Sequence, residues 1–289
     1  MKFNNIIILI LFIIIFGCNP NNFEIKERID KDGYKYIGRY ENNIKNGFYK
    51  VYSKSGKLVR SFYYKNNLQD GWDTSFYESG QLLNLSFYIG GRQEGMERQY
   101  FQNGNTFEIS SYKNGILDGI DILFNKDGQI KNIANLKNGK RSGISYEFNN
   151  SGKLIKLREY VVLKGTSELN QLLYYDDRGC LLTNVSRFLE IRTRDTIQKG
   201  EKYLMEFNFT RTYKNVNIYI GDFDKDYNCQ NCKMDTFSVF KLPCKIEITP
   251  KKIGNNVIHG RVDMYQHITT PYIGIAHQYY YFTKSFFVF

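Results

Sequence analysis

The chain has 289 residues and a formal charge of +11, with 40 Lys and Arg against 29 Asp and Glu. The positive charge is spread evenly, because residues 1–182 hold 25 Lys and Arg against 19 Asp and Glu, and residues 183–289 hold 15 against 10. Without a basic patch, the composition argues against a nucleic-acid partner and indicates a well-solvated surface.

Residues 1–17 have the pattern of a secretory signal peptide. A short positive start, Met1-Lys2, precedes an unbroken apolar run of 11 residues from Ile6 to Phe16. Such a run is too short to span a bilayer comfortably and fits the apolar region of a signal peptide. Ile15-Phe16-Gly17-Cys18 resembles a bacterial lipobox, which implies cleavage before Cys18 and acylation of its thiol. An uncleaved anchor is the alternative.

Residues 18–32 are predicted to be the lipidated Cys18 and a linker, beginning with the polar spacer Asn19-Pro20-Asn21-Asn22. An acyl cluster at Cys18 would anchor the chain stably, since each buried CH₂ contributes about 0.8 kcal/mol. Asn19 is not the Asp associated with inner-membrane retention, and no acidic run linked to surface export follows. We therefore expect a lipid-anchored protein of the bacterial cell envelope, at the outer membrane and facing the periplasm.

Residues 33–182 repeat a ten-residue phrase with a period of 24 residues, which is the signature of a repeat array. Two glycine columns carry the period: Gly47, Gly71, Gly95, Gly119 and Gly143, and Gly56, Gly80, Gly104, Gly128 and Gly152. The second column follows Ser, Asn or Asp, as in a tight hairpin turn with positive φ. A second turn lies half a repeat later, with Asn or Gly in register at Asn43, Asn67, Gly91, Gly115 and Gly139. Each repeat is therefore predicted to be two strands and two turns of an antiparallel meander, and the glycines to be structural.

Three further columns are large and apolar. They are Phe48, Trp72, Met96, Ile120 and Ile144; Tyr52, Phe76, Tyr100, Phe124 and Phe148; and Tyr40, Tyr64, Tyr88, Tyr112, Leu136 and Tyr160. Residues four apart in a strand project from the same face, so the first two columns should form one apolar stripe. We predict core packing for all three columns, in preference to ligand stacking.

These repeats resemble the MORN repeat variant of bacterial YwqK-type antitoxin-like proteins. The pattern G-x4-[YF]-x3-G-x7-Y-x2-[NG]-x3-G runs from about Tyr34 to Leu182, and "YIGRYENNIKNG" at 36–47 is the nearest approach to a standard phrase. The resemblance implies an elongated β-sheet that contacts proteins or lipids, and it supplies no catalytic residue. After Gly152, three inserted residues precede the next equivalent glycine, Gly179, as expected of an atypical capping repeat.

Residues 183–289 lose the period and contain seven or eight short β-branched and aromatic runs. Apolar residues alternate at Tyr203, Met205, Phe207 and Phe209, and again at Val216, Ile218 and Ile220. This pattern predicts a β-sandwich and resembles the immunoglobulin-like modules of bacterial envelope proteins. The final "YYYFTKSFFVF" is predicted to be the last strand pair, with Phe289 buried.

Four cysteines remain once Cys18 is lipidated: Cys180, Cys229, Cys232 and Cys244. In an oxidising compartment these are candidates for disulfides or inert thiols. Cys229, Cys232 and Cys244 are also three candidate zinc ligands, but no fourth is evident, so no metal site is predicted.

Two further groups are weak candidates for chemistry. Asp222, Asp224 and Asp226 have the spacing of a calcium loop, but Tyr227 stands where glycine is needed, which favours a solvated connection. The three histidines, His259, His267 and His277, accompany no catalytic motif.

The sequence therefore predicts a non-enzymatic envelope lipoprotein without a cofactor. Its anchor is the N-terminal lipid, and its repeat sheet works as a scaffold for an unidentified protein partner. The alternatives are an immunity or antitoxin protein that binds a toxin, and a module that binds glycan or anionic lipid.

Overall fold

A computed structural model of the protein describes residues 23–163, 165–183, 186–209, 215–221, 234–239, 244–250, 252–268 and 274–289. These residues form strands, turns and connections, and none of them is in a helix. The predicted all-β class is confirmed. The chain divides into two compact units, one ending at Gly139 and the other beginning at Lys140.

Sixteen strands form one antiparallel sheet, as the predicted meander requires. The first eight are β1 (Phe23–Ile29), β2 (Lys35–Glu41), β3 (Ile44–Tyr52), β4 (Leu58–Lys65), β5 (Leu68–Gln69), β6 (Gly71–Phe76), β7 (Leu82–Ile89) and β8 (Arg92–Gln93). The others are β9 (Gly95–Tyr100), β10 (Thr106–Lys113), β11 (Ile116–Phe124), β12 (Ile130–Lys137), β13 (Lys140–Arg141), β14 (Gly143–Phe148), β15 (Leu154–Leu163) and β16 (Thr166–Tyr174). In the first unit the order is β1-β2-β3-β4-β6-β7-β9-β10-β11-β12, in which each strand pairs with the next, and the two-residue strands β5 and β8 pair with β4 and β7. In the second unit β14 pairs with β15, and β15 pairs with β16.

One turn type closes one end of each repeat. At Phe101–Gly104, the Gly104 N–H donates to the Phe101 carbonyl at 2.9 Å and the Phe101 N–H donates to the Asn105 carbonyl at 2.8 Å. Gly104 has φ 89°, which is the left-handed residue of a three-residue hairpin loop. The same two bonds recur at Gly33, Gly56, Gly80, Gly128, Gly152 and Gly179. The second glycine column and the displaced Gly179 therefore lie at these turns, whereas the first column lies in strands: Gly47 in β3, Gly71 in β6, Gly95 in β9, Gly119 in β11 and Gly143 in β14.

Two-residue turns close the other end of each repeat. Asn114 and Gly115 have φ 52° and 80°, and the corresponding pairs at 42–43, 66–67, 90–91 and 138–139 are also positive at both residues. Positive φ at both positions defines the type I′ turn, whose twist matches that of the flanking strands. The Gly115 N–H donates to the Gln93 carbonyl of the preceding repeat at 2.8 Å. The predicted second turn is confirmed, and it also joins neighbouring repeats.

The remaining strands form two smaller sheets. They are β17 (Leu189–Arg192), β18 (Thr196–Ile197), β19 (Tyr203–Phe209), β20 (Asn215–Gly221), β21 (Met234–Val239), β22 (Cys244–Ile248), β23 (Gly254–Ile268) and β24 (Gly274–Val288). One sheet has the order β17-β19-β22 and the other β18-β24-β23-β20-β21. Side chains from both sheets form one buried apolar cluster, as the predicted β-sandwich requires. The predicted border at 182–183 lies between β16 and β17.

The sandwich core lies between its two sheets. Tyr203, Met205 and Phe207 on β19 are fully buried. The rings of Tyr203 and Phe286 stack at 3.7 Å between centroids, and those of Phe207 and Phe282 meet edge to face at 5.4 Å. The predicted alternation along β19 therefore does place one face of the strand in the core.

The prediction for the last segment was wrong. Residues 279–288 all belong to one 15-residue strand, β24, and so do not form a strand pair of their own. β24 pairs with β23 along its whole length. Phe286 and Val288 point into the core, so the alternation turns Phe289 outward, and it is 60% exposed.

The core prediction for the first apolar column of the array was also wrong. Trp72, Met96, Ile120 and Ile144 are 52%, 53%, 49% and 38% exposed. Side chains alternate between the two faces of a strand, and the array strands belong to one sheet, so packing within that sheet covers a side chain only in part. The other two columns are half-buried.

Candidate interaction surface

The two faces of the array sheet differ chemically in the first unit. Cross-strand partners place Thr74, Leu85, Arg98, Ile109 and Ile122 in one row across the sheet. We call this side, which also carries Trp72, Met96 and Ile120, the apolar face. The opposite face carries, in the same strands, the row that includes Asp73, Ser86, Ser110 and Asp121.

Exposed apolar side chains concentrate where the apolar face meets the type I′ turns. We call this set the turn-edge row, and each member is 49% to 56% exposed: Tyr63, Leu68, Trp72, Ile89, Met96, Ile116 and Ile120. The row extends over three consecutive repeats. A row of exposed apolar side chains of this kind is typical of an interaction site, whereas single exposed apolar residues are ordinary.

Each hairpin in the row pairs one aliphatic side chain with one cation. Lys65 lies opposite Leu68, Arg92 opposite Ile89, and Lys113 opposite Ile116, in each case immediately outside the type I′ turn. All three cations are exposed. Because both members of a cross-strand pair project from the same face, each tip presents apolar surface and positive charge together.

An acidic column fixes the tips against one another. Asp70 Oδ2 accepts the Gly90 N–H at 3.0 Å, Glu94 Oε2 accepts the Asn114 N–H at 2.7 Å, and Asp118 Oδ2 accepts the Asn138 N–H at 2.9 Å. Each acid thus holds the type I′ turn of the next repeat, with a charge-assisted hydrogen bond.

Sequence reasoning missed this acidic column. The signal was present, because an acid precedes the first glycine in "QDG", "QEG" and "LDG" at the 24-residue period. The tips are also packed: a Cβ added to Gly91 would lie 3.5 Å from Leu68 Cδ2, and one added to Gly139 would lie 3.6 Å from Ile116 Cγ2.

On the opposite face a buried carboxylate, Asp73, pairs with the partly exposed guanidinium of Arg60. Asp73 is 3% exposed and accepts two hydrogen bonds from Arg60 Nε, at 3.0 and 3.2 Å, and one from Gln69 Nε2 at 2.6 Å. The hydrogen bond to Asp73 raises the pKa of Arg60 above its ordinary value. Because the buried carboxylate is fully paired, this group is structural.

Further along the same face lie Glu97, Glu108 and Asp121. Burial and the neighbouring Asp121 raise the pKa of Glu108, and Ser110 Oγ donates to Asp121 Oδ1 at 3.0 Å. Burial and the charge of Glu97 raise the pKa of Tyr112 to about 12. The described part of the chain holds no group of three or more His, Cys, Asp or Glu placed to bind a metal ion.

The structure places only some of the residues predicted to carry chemistry. Cys18, Cys229 and Cys232 lie outside the described residues. Cys180 is exposed and Cys244 is half-buried, and both are free thiols in this structure. Burial raises the pKa of the Cys244 thiol. The predicted disulfides therefore stay a prediction.

The other weak candidates are also only partly described. Asp222, Asp224 and Asp226 lie outside the described residues. His259 Nδ1 lies 2.9 Å from Thr283 Oγ1, which is a contact between neighbouring strands. His267 and His277 are on β23 and β24, and their side chains are not among those described.

Within the described ranges there is no helix long and apolar enough to cross a membrane.

Comparison with known proteins identifies the repeat. Residues 93–114 match the family model of the MORN repeat variant. The matched segment contains β9, the turn at Gly104 and β10, and so corresponds to one hairpin of the array. The predicted MORN-type repeat is therefore confirmed. A search of curated proteins found no match.

Proposed function

We propose that the protein is a membrane-anchored lipoprotein of the bacterial cell envelope that works without catalysis, as a scaffold for a protein partner. The turn-edge row is the contact surface. The observation that carries this proposal is the row itself, with seven half-exposed apolar side chains in register across three repeats.

The composition of the row favours a protein partner. Tyr, Trp, Met and Arg are enriched in protein interfaces, and Trp, Tyr and Arg dominate their binding energy. The row contains Tyr63, Trp72 and Met96, with Arg92 beside them. Because the acidic column holds the tips in place, binding would order few further groups.

The anchor is tested by replacing Cys18 with Ser and fractionating the cells. Cys18 is the proposed acylated thiol, so Cys18→Ser should lose lipid labelling and leave the membrane fraction. Continued sedimentation of the variant with membranes would place the anchor elsewhere.

The contact surface is tested with a photo-crosslinking amino acid at position 96. Met96 lies in the turn-edge row, whereas Gln102, the matched control, lies in the polar turn at the other end of the same strand. We expect a protein adduct at position 96 and none at position 102. Equal adducts at both positions, or none at 96, would contradict the proposal. An adduct with a toxin would support the immunity alternative, and an adduct with lipid or glycan would support the alternative of a module that binds glycan or anionic lipid.

A further inference from the structure

The first strand of the array leaves one edge of the sheet open. β1 pairs with β2 along one side, and no strand among the described residues pairs with its other side. The last array strand, β16, is bonded on its outer side, because Leu172 and Arg187 exchange backbone hydrogen bonds of 2.7 and 2.6 Å. An open edge offers a row of backbone N–H and C=O groups to which a further strand can add.

β1 lacks the bulge or proline that commonly protects an open edge. It pairs with β2 over all seven residues without a register shift. Its charged residues, Glu24, Lys26, Glu27 and Arg28, carry no net charge together. They therefore disfavour a strand that places like charges opposite them, and they admit one whose charges are complementary.

The hydrogen-bond pattern shows which residues of β1 face the open edge. The Asp30 N–H donates to the Tyr34 carbonyl at 3.0 Å, so Asp30 bonds across the β1–β2 hairpin. In an antiparallel ladder alternate residues bond to the same neighbour, so Arg28, Lys26 and Glu24 also bond to β2. The backbone groups at the open edge therefore belong to Phe23, Ile25, Glu27 and Ile29. A strand that adds to β1 must pair with these residues.

A second copy of β1 meets this requirement when the two strands run antiparallel about Lys26. Phe23 of each copy then lies opposite Ile29 of the other, which brings two apolar side chains together. Ile29 is 69% exposed, more than any other large apolar side chain of the described residues, and Phe23 is 38% exposed. Glu24 of each copy lies opposite Arg28 of the other, and both side chains are exposed. The pairing therefore forms two cross-strand pairs of opposite charge.

The charges around Lys26 are compatible with this register. Lys26 would lie opposite Lys26 of the second copy, but within each copy its Nζ lies 3.2 Å from Glu24 Oε2 and donates to Asn43 Oδ1 at 2.6 Å. A shift of the centre to Ile25 or to Glu27 would pair only residues 23–27 or 25–29 of each strand. The shift to Glu27 would also place this acid opposite itself, which is unfavourable.

We infer that two copies of the chain pair through β1, antiparallel and centred on Lys26, so that their array sheets join at this edge. The surface is distinct from the turn-edge row, whose first member, Tyr63, lies on β4. The inference therefore adds self-association to the proposed function and does not depend on it. One strand pair is a small interface, so we expect a dimer that dissociates on dilution.

Charge reversal tests the register, with the full chain followed by sedimentation equilibrium. Glu24→Arg and Arg28→Glu each place like charges opposite one another at two positions, and each should weaken dimerisation by about tenfold. An equal mixture of the two variants should form a mixed dimer of native affinity, because the reversed charges are complementary between unlike copies. The control Lys31→Glu changes an exposed residue in the turn after β1 and should dimerise as the native chain does.

A cysteine at the centre of the pair tests the geometry. Lys26→Cys places two thiols directly opposite one another, where the Cβ atoms of cross-strand neighbours are about 4.5–5.5 Å apart. Mild oxidation should join the two copies through this residue, as mass spectrometry of the linked peptide would show. The matched control Lys31→Cys should form no such link.

Three results would overturn the inference. The first is a chain that stays monomeric at about 100 μM, where a weak specific dimer is populated. The second is a dimer that neither charge reversal weakens, or that the mixed variants fail to restore. The third is a link through Lys31→Cys as efficient as the link through Lys26→Cys. If no dimer forms, the photo-crosslinking test at position 96 still decides the proposed scaffold separately.

Discussion

The array and the sandwich reach a β fold in opposite ways. Seventeen of the described sandwich residues form one buried apolar cluster, in which Tyr203, Met205 and Phe207 are fully buried. In the array, the clustered buried apolar residues are Tyr49, Val51 and Phe62. The array is held by turns and by bonds between adjacent repeats, and the sandwich by contacts between distant strands. The array can therefore leave large apolar side chains exposed, and these form the contact surface that we propose.

Shortening the array tests whether its repeats fold as units that depend only on their neighbours. Deleting Gly95 to Asp118 removes 24 residues and joins Glu94 to Gly119, so every column stays in register. Stability should fall, but the array should still unfold cooperatively, as in other repeat proteins. Deleting Gly95 to Thr106 removes one strand and reverses all that follow, so this array should not fold. Thermal unfolding and limited proteolysis would compare the two variants. Equal damage would mean that the array folds as one closed unit.

A matched pair of methionines measures the difference in packing. Met205 is fully buried in the sandwich and Met96 is 53% exposed in the turn-edge row. Met205→Ala should lower the free energy of unfolding by about 2–5 kcal/mol, because it leaves a cavity. Met96→Ala should change it by no more than about 0.5 kcal/mol. Urea unfolding of both variants provides the comparison. Similar losses in the free energy of unfolding would show that Met96 is packed against other groups and is not exposed.

The sequence predicted what is local and missed what depends on neighbours. Both turn types, the 24-residue period and the alternation along β19 were predictable, because each depends on residues adjacent in the chain. The exposure of Trp72 and Met96 was not, because an apolar column looks the same whether or not another layer covers it. Phe289 was misplaced for a related reason, since the position of one strand in the sandwich decides which of its residues face out.

For the turn-edge row, the sequence predicted only that apolar residues recur every 24 residues. The sequence gives no distance between Lys65 and Leu68, so their pairing at a hairpin tip required the register. Asp70, Glu94 and Asp118 each bond to a residue 20 positions further along the chain. The 24-residue period of these acids can be read from the sequence, but the turn N–H groups that they accept cannot.

A smaller effect is expected where the last array strand meets the sandwich inside the second unit. Asn170 on β16 is 2% exposed, its Nδ2 donates to the Tyr281 carbonyl at 2.9 Å, and its Oδ1 accepts the Tyr281 N–H at 2.7 Å. Asn170→Ala would remove both of these buried hydrogen bonds, at a cost of about 1–3 kcal/mol. The control, Asn208→Ala, removes an exposed hydrogen bond to Glu190. Chemical denaturation followed by near-ultraviolet circular dichroism would compare them. Equal, small losses would show that Asn170 does not hold β24.

The smallest change in stability is expected from Glu108, on the opposite face of the array, and it depends on pH. The pKa of Glu108 is raised above its ordinary value of 4.5 by burial and by Asp121. The folded state therefore binds the proton more tightly, and this contribution to stability is present below pH 4.5 and lost as pH rises through the folded pKa. Glu108→Gln should unfold at higher urea than the native protein at neutral pH, and the difference should shrink towards pH 4.5. A difference in stability that grows as the pH falls would contradict a raised pKa of Glu108 in the folded state.

The most direct test of the open turn-edge row uses the single tryptophan of the chain, Trp72. Because the chain has no other tryptophan, its tryptophan fluorescence reports on the row alone, where Trp72 is 52% exposed. The measurement is quenching by iodide and by caesium at equal ionic strength. We predict emission at the wavelength of solvated indole and stronger quenching by iodide, which the exposed cations attract. Blue-shifted emission protected from both ions would show that the row is covered, and would contradict its role as a binding surface.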